Sequence, residues 1–144
     1  MKKQSKQKKV AEAIGNLKLD EYIDIYAFIV GLLATIGSVY VLKNIFKVPR
    51  PSNAYVIETG YAMPSGHASL GFFLAVFLIY YIVKKPGNSF RETIGWIILG
   101  AFAIIIAASR VFLNVHTINQ VTIGAIIGTA IALLAILYTR RKKI

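Results

Sequence analysis

The sequence contains no cysteine, which excludes disulfide bonds, thiolate metal sites and cysteine nucleophiles. It is also poor in acidic residues, with 6 Asp and Glu against 17 Lys and Arg and a formal net charge of +11. The few potential metal ligands are not clustered along the chain. Charged residues of both signs make up only 16% of the sequence, whereas hydrophobic residues make up 56%.

The abundance of apolar residues indicates an integral membrane protein. A soluble unit of 144 residues would struggle to bury so much apolar surface, whereas a bilayer solvates the outer face of each helix. The basic residues stand at the ends of the apolar stretches, as in the cytoplasmic flanks of membrane spans, so they do not indicate nucleic-acid binding. The N-terminus has five Lys in its first nine residues and no short apolar segment, unlike a cleavable signal peptide.

Four apolar stretches are long enough to cross a hydrocarbon layer of about 30 Å at about 1.5 Å per helical residue. We therefore predict an all-α integral membrane protein, a bundle of about four transmembrane helices forming one domain over residues 21–144. Residues 1–20 are predicted to form a basic cytoplasmic tail or an interfacial helix. The predicted spans run from about 25 to 42, 65 to 83, 93 to 109 and 117 to 139.

The distribution of basic residues predicts the orientation of the bundle. With four crossings, both termini and the central loop lie on one side, which carries thirteen Lys and Arg against four on the other. The positive-inside rule makes the richer side cytoplasmic. Its basic residues are Lys2, Lys3, Lys6, Lys8, Lys9, Lys18, Lys84, Lys85, Arg91, Arg140, Arg141, Lys142 and Lys143. The other side, expected to be extracytoplasmic, carries Lys43, Lys47, Arg50 and Arg110.

The sparsely charged side nevertheless holds the residues with the chemistry of a reactive site. Three segments meet there in this topology, at residues 43–51, 63–67 and 109–116. The first and third carry cations, most with no carboxylate nearby in sequence, which favour an anion such as phosphate. The second begins a helix at Ser65 and Gly66, whose free N–H groups also favour an anion. His67 and His116 suggest one general acid and one nucleophile, because histidine is the residue type whose unperturbed pKa lies near neutral pH.

Structural interpretations compete with these functional ones. Lys and Arg at helix ends often reach toward the interface without binding a ligand, which is the interpretation we favour for Lys47. A single interfacial histidine is more often structural than catalytic, but two histidines beside three cations favour a site. Tyr55, Tyr61 and Trp96 are interpreted as interface anchors.

The three segments together resemble the signature of the type-2 phosphatidic acid phosphatase superfamily. That signature is a Lys, six residues and Arg-Pro; then Pro-Ser-Gly-His; then Ser-Arg, five residues, His, three residues and Asp. The resemblance covers roughly residues 25–139. Many members have six spans, so this chain resembles a minimal form. The matching residues are Lys43, Arg50, Pro51, Pro64, Ser65, Gly66, His67, Ser109, Arg110 and His116.

The resemblance implies hydrolysis of a lipid phosphate in the membrane without a metal or another cofactor, which fits the lack of clustered metal ligands in the sequence. It makes His116 the nucleophile, which takes the phosphoryl group as a phosphohistidine, and His67 the acid that protonates the leaving oxygen. The implied substrates are a polyprenyl diphosphate such as undecaprenyl diphosphate, phosphatidate or phosphatidylglycerol phosphate. The residues implied to bind the phosphate are Lys43, Arg50, Ser65, Gly66 and Arg110.

One position departs from the family pattern, since Gln120 stands where the family has Asp. It lies one helical turn after His116, where the side chain accepts the imidazole N–H. Gln120 can accept this bond through its carbonyl oxygen but brings no charge, and its NH₂ group can instead favour the wrong tautomer. In a serine-protease triad the equivalent neutralisation slows the reaction about ten-thousandfold, or about 5.4 kcal/mol. The alternative function is therefore a lipid-phosphate-binding pseudo-phosphatase, or an inactivated variant.

Glu58, in the loop before Pro64, is the only acid expected on the extracytoplasmic side. No acid follows Glu92, so the C-terminal half offers no substitute for the missing carboxylate. We expect Glu58 to be a solvated loop residue; the alternative is a side chain that folds over the site.

Overall fold

The computed structural model describes residues 2–84, 87 and 89–142. Within these residues the chain forms four helices and no strand: α1 (Lys2–Phe46), α2 (Gly66–Lys84), α3 (Ser89–Phe112) and α4 (Ile118–Lys142). Each helix contains a segment long and apolar enough to cross a membrane, and in α1 that segment is Leu19–Phe46. The predicted all-α fold with four spans is confirmed.

Helix α1 runs without a break from the basic N-terminal segment into the first span. Residues 2–20 are helical, and no proline precedes Pro49 to interrupt the hydrogen-bond ladder. The boundary at residue 20 and the location of the basic segment therefore stay predictions. Two of the thirteen basic residues assigned to the cytoplasmic side, Lys85 and Lys143, lie outside the described residues.

Helices α2 and α4 form the centre of the bundle. Helix α2 packs most extensively on α4, α3 packs mainly on α2, and α1 packs on both α4 and α2. In the described part of the chain no contact joins α1 to α3. Among these residues, α1 and α3 are therefore joined only through α2 and α4.

Two glycines bring α4 close to the beginning of α2. A Cβ atom at Gly124 would lie 2.5 Å from the carbonyl oxygen of Ser65, and one at Gly128 would clash with the backbone of Ser69. Lipid gives little hydrophobic drive for helix association, so such close packing is what stabilises a helix pair in the membrane. The packing aligns the first turn of α2 with the first turn of α4.

Polar contacts join the helices at the end of the bundle where α2 ends and α3 begins. Lys84 forms an ion pair with the buried carboxylate of Asp24 in α1. The hydroxyl groups of Tyr80 and Thr139 lie 3.0 Å apart and join α2 to α4. Because successive helices alternate in direction, the last turns of α1 and α3 meet the first turns of α2 and α4 at the opposite end. The predicted site residues lie there.

Candidate active site

The two loops at this end, residues 47–65 and 113–117, contribute to a cavity of about 250 Å³ together with α1 and α2. Three segments that are far apart in the sequence therefore share one space. Both histidines of the chain and two of the predicted phosphate-binding cations face this space. The residues that line the cavity are Lys43, Arg50, Glu58, Gly66, His67, Leu70 and His116.

His116 is held by the end of α3. After Phe112 the chain turns at Asn114, whose φ of 53° is a left-handed conformation that asparagine adopts more readily than most residues. The N–H groups of Val115 and His116 both donate to the carbonyl oxygen of Arg110, at 3.2 Å. The five residues between Arg110 and His116 thus form a helix-ending turn, and they leave His116 only 3% exposed.

Gln120 lies next to the imidazole, in the first turn of α4. Its Oε1 atom lies 3.2 Å from Nδ1 of His116 and accepts the N–H of Thr117 at 3.1 Å. Thr117 Oγ1 accepts the N–H of Gln120 at 3.4 Å, so the two residues cap α4 reciprocally. Because the atom that faces Nδ1 is an acceptor, Nδ1 carries the proton and Nε2 carries the free lone pair. Gln120 therefore has the orientation that favours the correct tautomer.

His116 is uncharged at neutral pH. Burial lowers the pKa of its imidazole to about 4, and the hydrogen bond that the ring donates to Gln120, which raises the pKa, offsets only part of this effect. The charges of Arg50, Lys43 and Arg110 lower the pKa further. A neutral imidazole with a free Nε2 is competent as a nucleophile.

The guanidinium group of Arg50 connects the first loop to His116. Its Nη1 atom donates to the carbonyl oxygen of Val115 at 3.2 Å and lies 3.5 Å from Nε2 of His116. Its Nε and Nη2 atoms donate to the carbonyl oxygens of Gly60 and Thr59, at 3.1 and 3.3 Å. Gly60 has a φ of 76°, a conformation that glycine adopts without a steric penalty. The loop thus wraps around a cation that stands next to the imidazole.

Glu58 joins two of the predicted phosphate-binding residues. Its Oε2 atom lies 2.7 Å from Nη1 of Arg50, and its Oε1 atom accepts a hydrogen bond from Nη2 of Arg110. The expectation of a solvated loop residue is wrong, because the side chain is only 22% exposed and lines the cavity. The surplus of cations explains the difference, since two arginines bind the carboxylate more strongly than water does. Glu58 does not replace the missing carboxylate next to Nδ1, where Gln120 stands.

The beginning of α2 supplies the other histidine. The N–H of Ser65 donates to the carbonyl oxygen of Gln120 at 3.1 Å, which ties this turn to α4. Gly66 and His67 follow and line the cavity, and His67 is exposed. Ser65 itself is fully buried and does not line the cavity.

Two of the predicted phosphate-binding residues have polar atoms without a partner. Among the residues that the structure describes, the buried side-chain atoms that make no hydrogen bond are Oγ of Ser65 and Nε of Arg110. Arg110 does not line the cavity and reaches it only through Glu58. Lys43 lines it and donates its Nζ to the carbonyl oxygen of Tyr61. The excess of cations at the cavity favours a bound oxyanion.

Several contributors to the site have no clear signal in the sequence. Thr59, Gly60, Tyr61 and Val115 act through backbone carbonyl groups, which any residue type supplies. Thr117, in contrast, has a signal in the sequence, because Thr-x-x-Gln before an apolar run is a capping-box pattern. The described ranges contain no group of three His, Asp or Glu side chains placed to hold a metal ion.

The sequence is similar to known families of lipid phosphatases. A sequence model of the PAP2 superfamily matches residues 24–144. Human dolichyldiphosphatase 1 is 32% identical over 124 residues, which cover 79% of this chain and 52% of the relative. The lipid A 4′-phosphatase of Helicobacter pylori strain J99 is 34% identical over 135 residues, which cover 89% and 62%. The chain spans about half the length of the first curated relatives it matches.

The fold is similar to that of a solved membrane phosphatase. The crystal structure of the transmembrane PAP2-type phosphatidylglycerolphosphate phosphatase from Bacillus subtilis matches with a TM-score of 0.74 and 25% identity. The match covers 87% of this chain and 69% of that one. The stretch that matches the family begins within α1 and includes every predicted site residue.

Proposed function

The chain belongs to the PAP2 superfamily, and from this premise we propose that it hydrolyses the phosphate of a membrane lipid with His116 as the nucleophile. The observation that carries the proposal is a neutral imidazole beside a cation. Nε2 of His116 lies 3.5 Å from Nη1 of Arg50, while Nδ1 is held by Gln120. A nucleophile and an anion-binding group therefore stand next to each other at one cavity.

In the first chemical step Nε2 of His116 attacks the phosphorus atom, and the bond from phosphorus to the lipid oxygen breaks. His67 gives its proton to the leaving oxygen, so the lipid departs as an alcohol, or as a monophosphate when the substrate is a diphosphate. The phosphoryl group stays on His116 as a phosphohistidine. The ring is then a cation, and its Nδ1–H donates to the carbonyl oxygen of Gln120.

In the second step a water molecule attacks the phosphohistidine, and His67 accepts the proton of that water. The bond between phosphorus and Nε2 breaks, inorganic phosphate leaves, and His116 and His67 return to their initial protonation states. Lys43, Arg50 and Arg110 neutralise the charge on the phosphoryl oxygens in both steps.

We propose a lipid substrate because the cavity borders the part of α2 that spans the membrane. Leu70 lines the cavity one turn after Gly66 and His67. Since α1 and α3 do not contact each other among the described residues, we infer that the lipid chain enters between these two helices, along α2. The names of the relatives, which act on dolichyl diphosphate, lipid A and phosphatidylglycerol phosphate, support a lipid phosphate or diphosphate. Candidate substrates are a polyprenyl diphosphate, phosphatidate and phosphatidylglycerol phosphate.

The proposed orientation places the cavity on the extracytoplasmic side and both termini in the cytoplasm, as the positive-inside rule predicts. The absence of native cysteine makes this directly testable. In intact cells, a membrane-impermeant thiol reagent should label Ser52→Cys in the first loop and spare Ser89→Cys at the beginning of α3. Labelling of Ser89→Cys alone would reverse the orientation.

The enzymatic proposal is tested by phosphate release from a panel of lipid phosphates and diphosphates without added divalent metal. The chain and its Gln120→Asp variant are both assayed, and His116→Ala is the control. We expect release by the first two and none by the control. If neither releases phosphate while His116→Ala binds the lipid equally well, the proposal fails.

The second candidate function is a binding protein that holds a lipid phosphate without cleaving it. The neutral Gln120 at the position of the family's Asp favours it, because the cation formed during attack then lacks a counter-charge. This function predicts binding of vanadate or of a lipid phosphate with no turnover, and no gain of activity in Gln120→Asp.

A further inference from the structure

Glu58 is an anion already bound by the residues that are proposed to bind the substrate phosphate. Both of its carboxylate oxygens are used, one by Arg50 at 2.7 Å and the other by Arg110. These two arginines lie sixty residues apart in the sequence, so the carboxylate is what links the first loop to the end of α3 at this point.

The hydrogen bonds of Arg50 show how little of it is free for a ligand while Glu58 is in place. Nε donates to Gly60 and Nη2 donates to Thr59, both through carbonyl oxygens. Nη1, which lies 3.5 Å from Nε2 of His116, donates to the carbonyl oxygen of Val115 and forms the ion pair with Glu58. A phosphoryl group placed for attack by His116 therefore meets the nitrogen that Glu58 already uses.

The access of Arg110 to the cavity depends even more on Glu58. Its guanidinium does not line the cavity, and its Nη2 atom is bound to the carboxylate that does. Its Nε atom is buried without a partner. Moving the Glu58 carboxylate out of the cavity opens a path from the cavity to Arg110.

Charge explains why a carboxylate lies in this place. Lys43 and Arg50 line a partly buried space and Arg110 lies behind Glu58, and like charges repel each other more strongly there than in water. Glu58 is the one acid among the seven residues that line the cavity. It lowers the electrostatic free energy of the site, and a bound phosphate would have the same effect.

The backbone around Glu58 suits a side chain that moves. Hydrogen bonds anchor the segment on both sides, from the N–H of Tyr55 to Leu113 at 3.0 Å and from the N–H of Ala62 to Val48 at 2.8 Å. Between these anchors Val56, Ile57, Thr59 and Gly60 are exposed, and Ile57 is 97% exposed. Little apolar packing therefore opposes a displacement of this short segment.

We propose that Glu58 is an exchange residue of the reaction: it leaves Arg50 and Arg110 when the substrate phosphate binds, and it returns to them as inorganic phosphate departs. The inference rests on the proposed function in so far as the cavity is taken to bind phosphate. Glu58 weakens the binding of substrate and product by the same factor, because both must displace it. Its return also assists product release, since it supplies the arginines with a replacement anion.

The test measures the binding of inorganic phosphate to the full chain in detergent micelles, by equilibrium dialysis at pH 7.5. We expect Glu58→Gln and Glu58→Ala to bind phosphate about tenfold more tightly than the unsubstituted chain, because the competing ion pair is gone. The matched control is Glu92→Gln, which removes the same charge at the beginning of α3, at the other end of the bundle. It should leave the dissociation constant unchanged.

Unchanged or weaker binding in both Glu58 variants overturns the proposal, because it makes Glu58 a fixed part of the site. The proposal is also overturned if neither the unsubstituted chain nor any of the variants binds phosphate detectably. Thermal unfolding of each variant shows whether it is still folded. Agreement between the two substitutions shows that the effect comes from the loss of the carboxylate and not from the residue introduced.

Binding needs no turnover, so the inference and the proposed function can fail separately. A chain that binds phosphate more tightly without Glu58 but releases none from any lipid supports the inference and contradicts hydrolysis. Where hydrolysis occurs, KM and the inhibition constant of phosphate should fall by a common factor in Glu58→Gln. A purely structural role for Glu58 predicts that both constants rise.

Discussion

The Nδ1 atom of His116 lies 3.2 Å from Oε1 of Gln120, and the same oxygen accepts the N–H of Thr117 at 3.1 Å. The bond from Thr117 matters because it determines that the oxygen of the Gln120 amide, and not its NH₂ group, faces the ring. An amide held in this way fixes the imidazole tautomer as a carboxylate would, but it does not supply a negative charge. Orientation and charge compensation, which Asp provides together in the family pattern, are therefore separated in this chain.

The first prediction concerns this separation. Gln120→Asp should raise the rate of phosphate release by about a hundredfold to ten-thousandfold, because a carboxylate stabilises the cation that forms on His116. An acidic residue in the first turn of α4 is also favoured by the helix dipole. The measurement is the initial rate with a lipid phosphate in micelles. Gln120→Ala, which loses the hydrogen bond that orients the imidazole, should be slower than the unsubstituted chain. A Gln120→Asp variant that is slower than the unsubstituted chain would contradict this prediction.

The second prediction concerns the protonation of His116. Because burial lowers its pKa to about 4, the ring should stay neutral as the pH falls from 7 to about 5. The chain has two histidines, so His67→Asn leaves a single imidazole whose C2 proton can be titrated by NMR. A midpoint near 4 is expected, and adding Gln120→Ala should lower it further, since the hydrogen bond that the ring donates to Gln120 raises the pKa. A midpoint at 6 or above would contradict the burial seen here.

The same pKa has a consequence for stability. The folded pKa of His116 lies below the value of about 6.5 for an unfolded chain, so the unfolded state binds the proton more readily. The contribution of His116 to the free energy of unfolding is therefore complete above about pH 6.5 and is lost as the pH falls toward 4.

A third prediction tests the packing that aligns the two halves of the site. Gly128→Ala should destabilise the protein by about 1–3 kcal/mol, because the added methyl group clashes with the backbone of Ser69. Gly100→Ala is the matched control, since no atom lies within 4 Å of the added carbon. It should change the stability by less than about 1 kcal/mol, in the favourable direction expected for Ala in a helix. Thermal unfolding in detergent compares the two; equal effects would mean that α2 and α4 are not tightly packed.

A fourth prediction addresses the path of the lipid chain. Leu70→Trp should slow the hydrolysis of a long-chain lipid phosphate by about tenfold, equivalent to roughly 1.4 kcal/mol of binding, because the indole ring fills the membrane side of the cavity. Hydrolysis of a short, water-soluble phosphate ester should be affected much less. The control is Leu134→Trp, at a lipid-facing position of α4 that does not line this cavity. A parallel loss for both substrates would indicate damage to the phosphate site instead.

Much of the fold was predictable because its signals are local. A run of about 20 apolar residues predicts a span wherever it occurs, and the four helices lie where these runs do. The positions of Lys43, Arg50, Gly66, His67 and His116 at one end follow from the alternating direction of the helices. Their meeting in one cavity also needs the turn at Asn114 and the close packing at Gly124 and Gly128.

The spacing of residues along the sequence by itself determined the four helices, the end of the bundle that carries the histidines, and the placement of Gln120 one turn after His116. These features depend on distances of a few residues along a helix, which the helical repeat converts directly into space. Only the tertiary structure decided that Glu58 lies between Arg50 and Arg110 and that the carbonyl oxygen of Gln120 faces the imidazole. The first contact spans 52 residues between Glu58 and Arg110, and the second depends on the bond from Thr117. Both contacts depend on which hydrogen-bond donors are still unpaired when the loops and helices have packed together. The spacing of residues along the sequence does not reveal this.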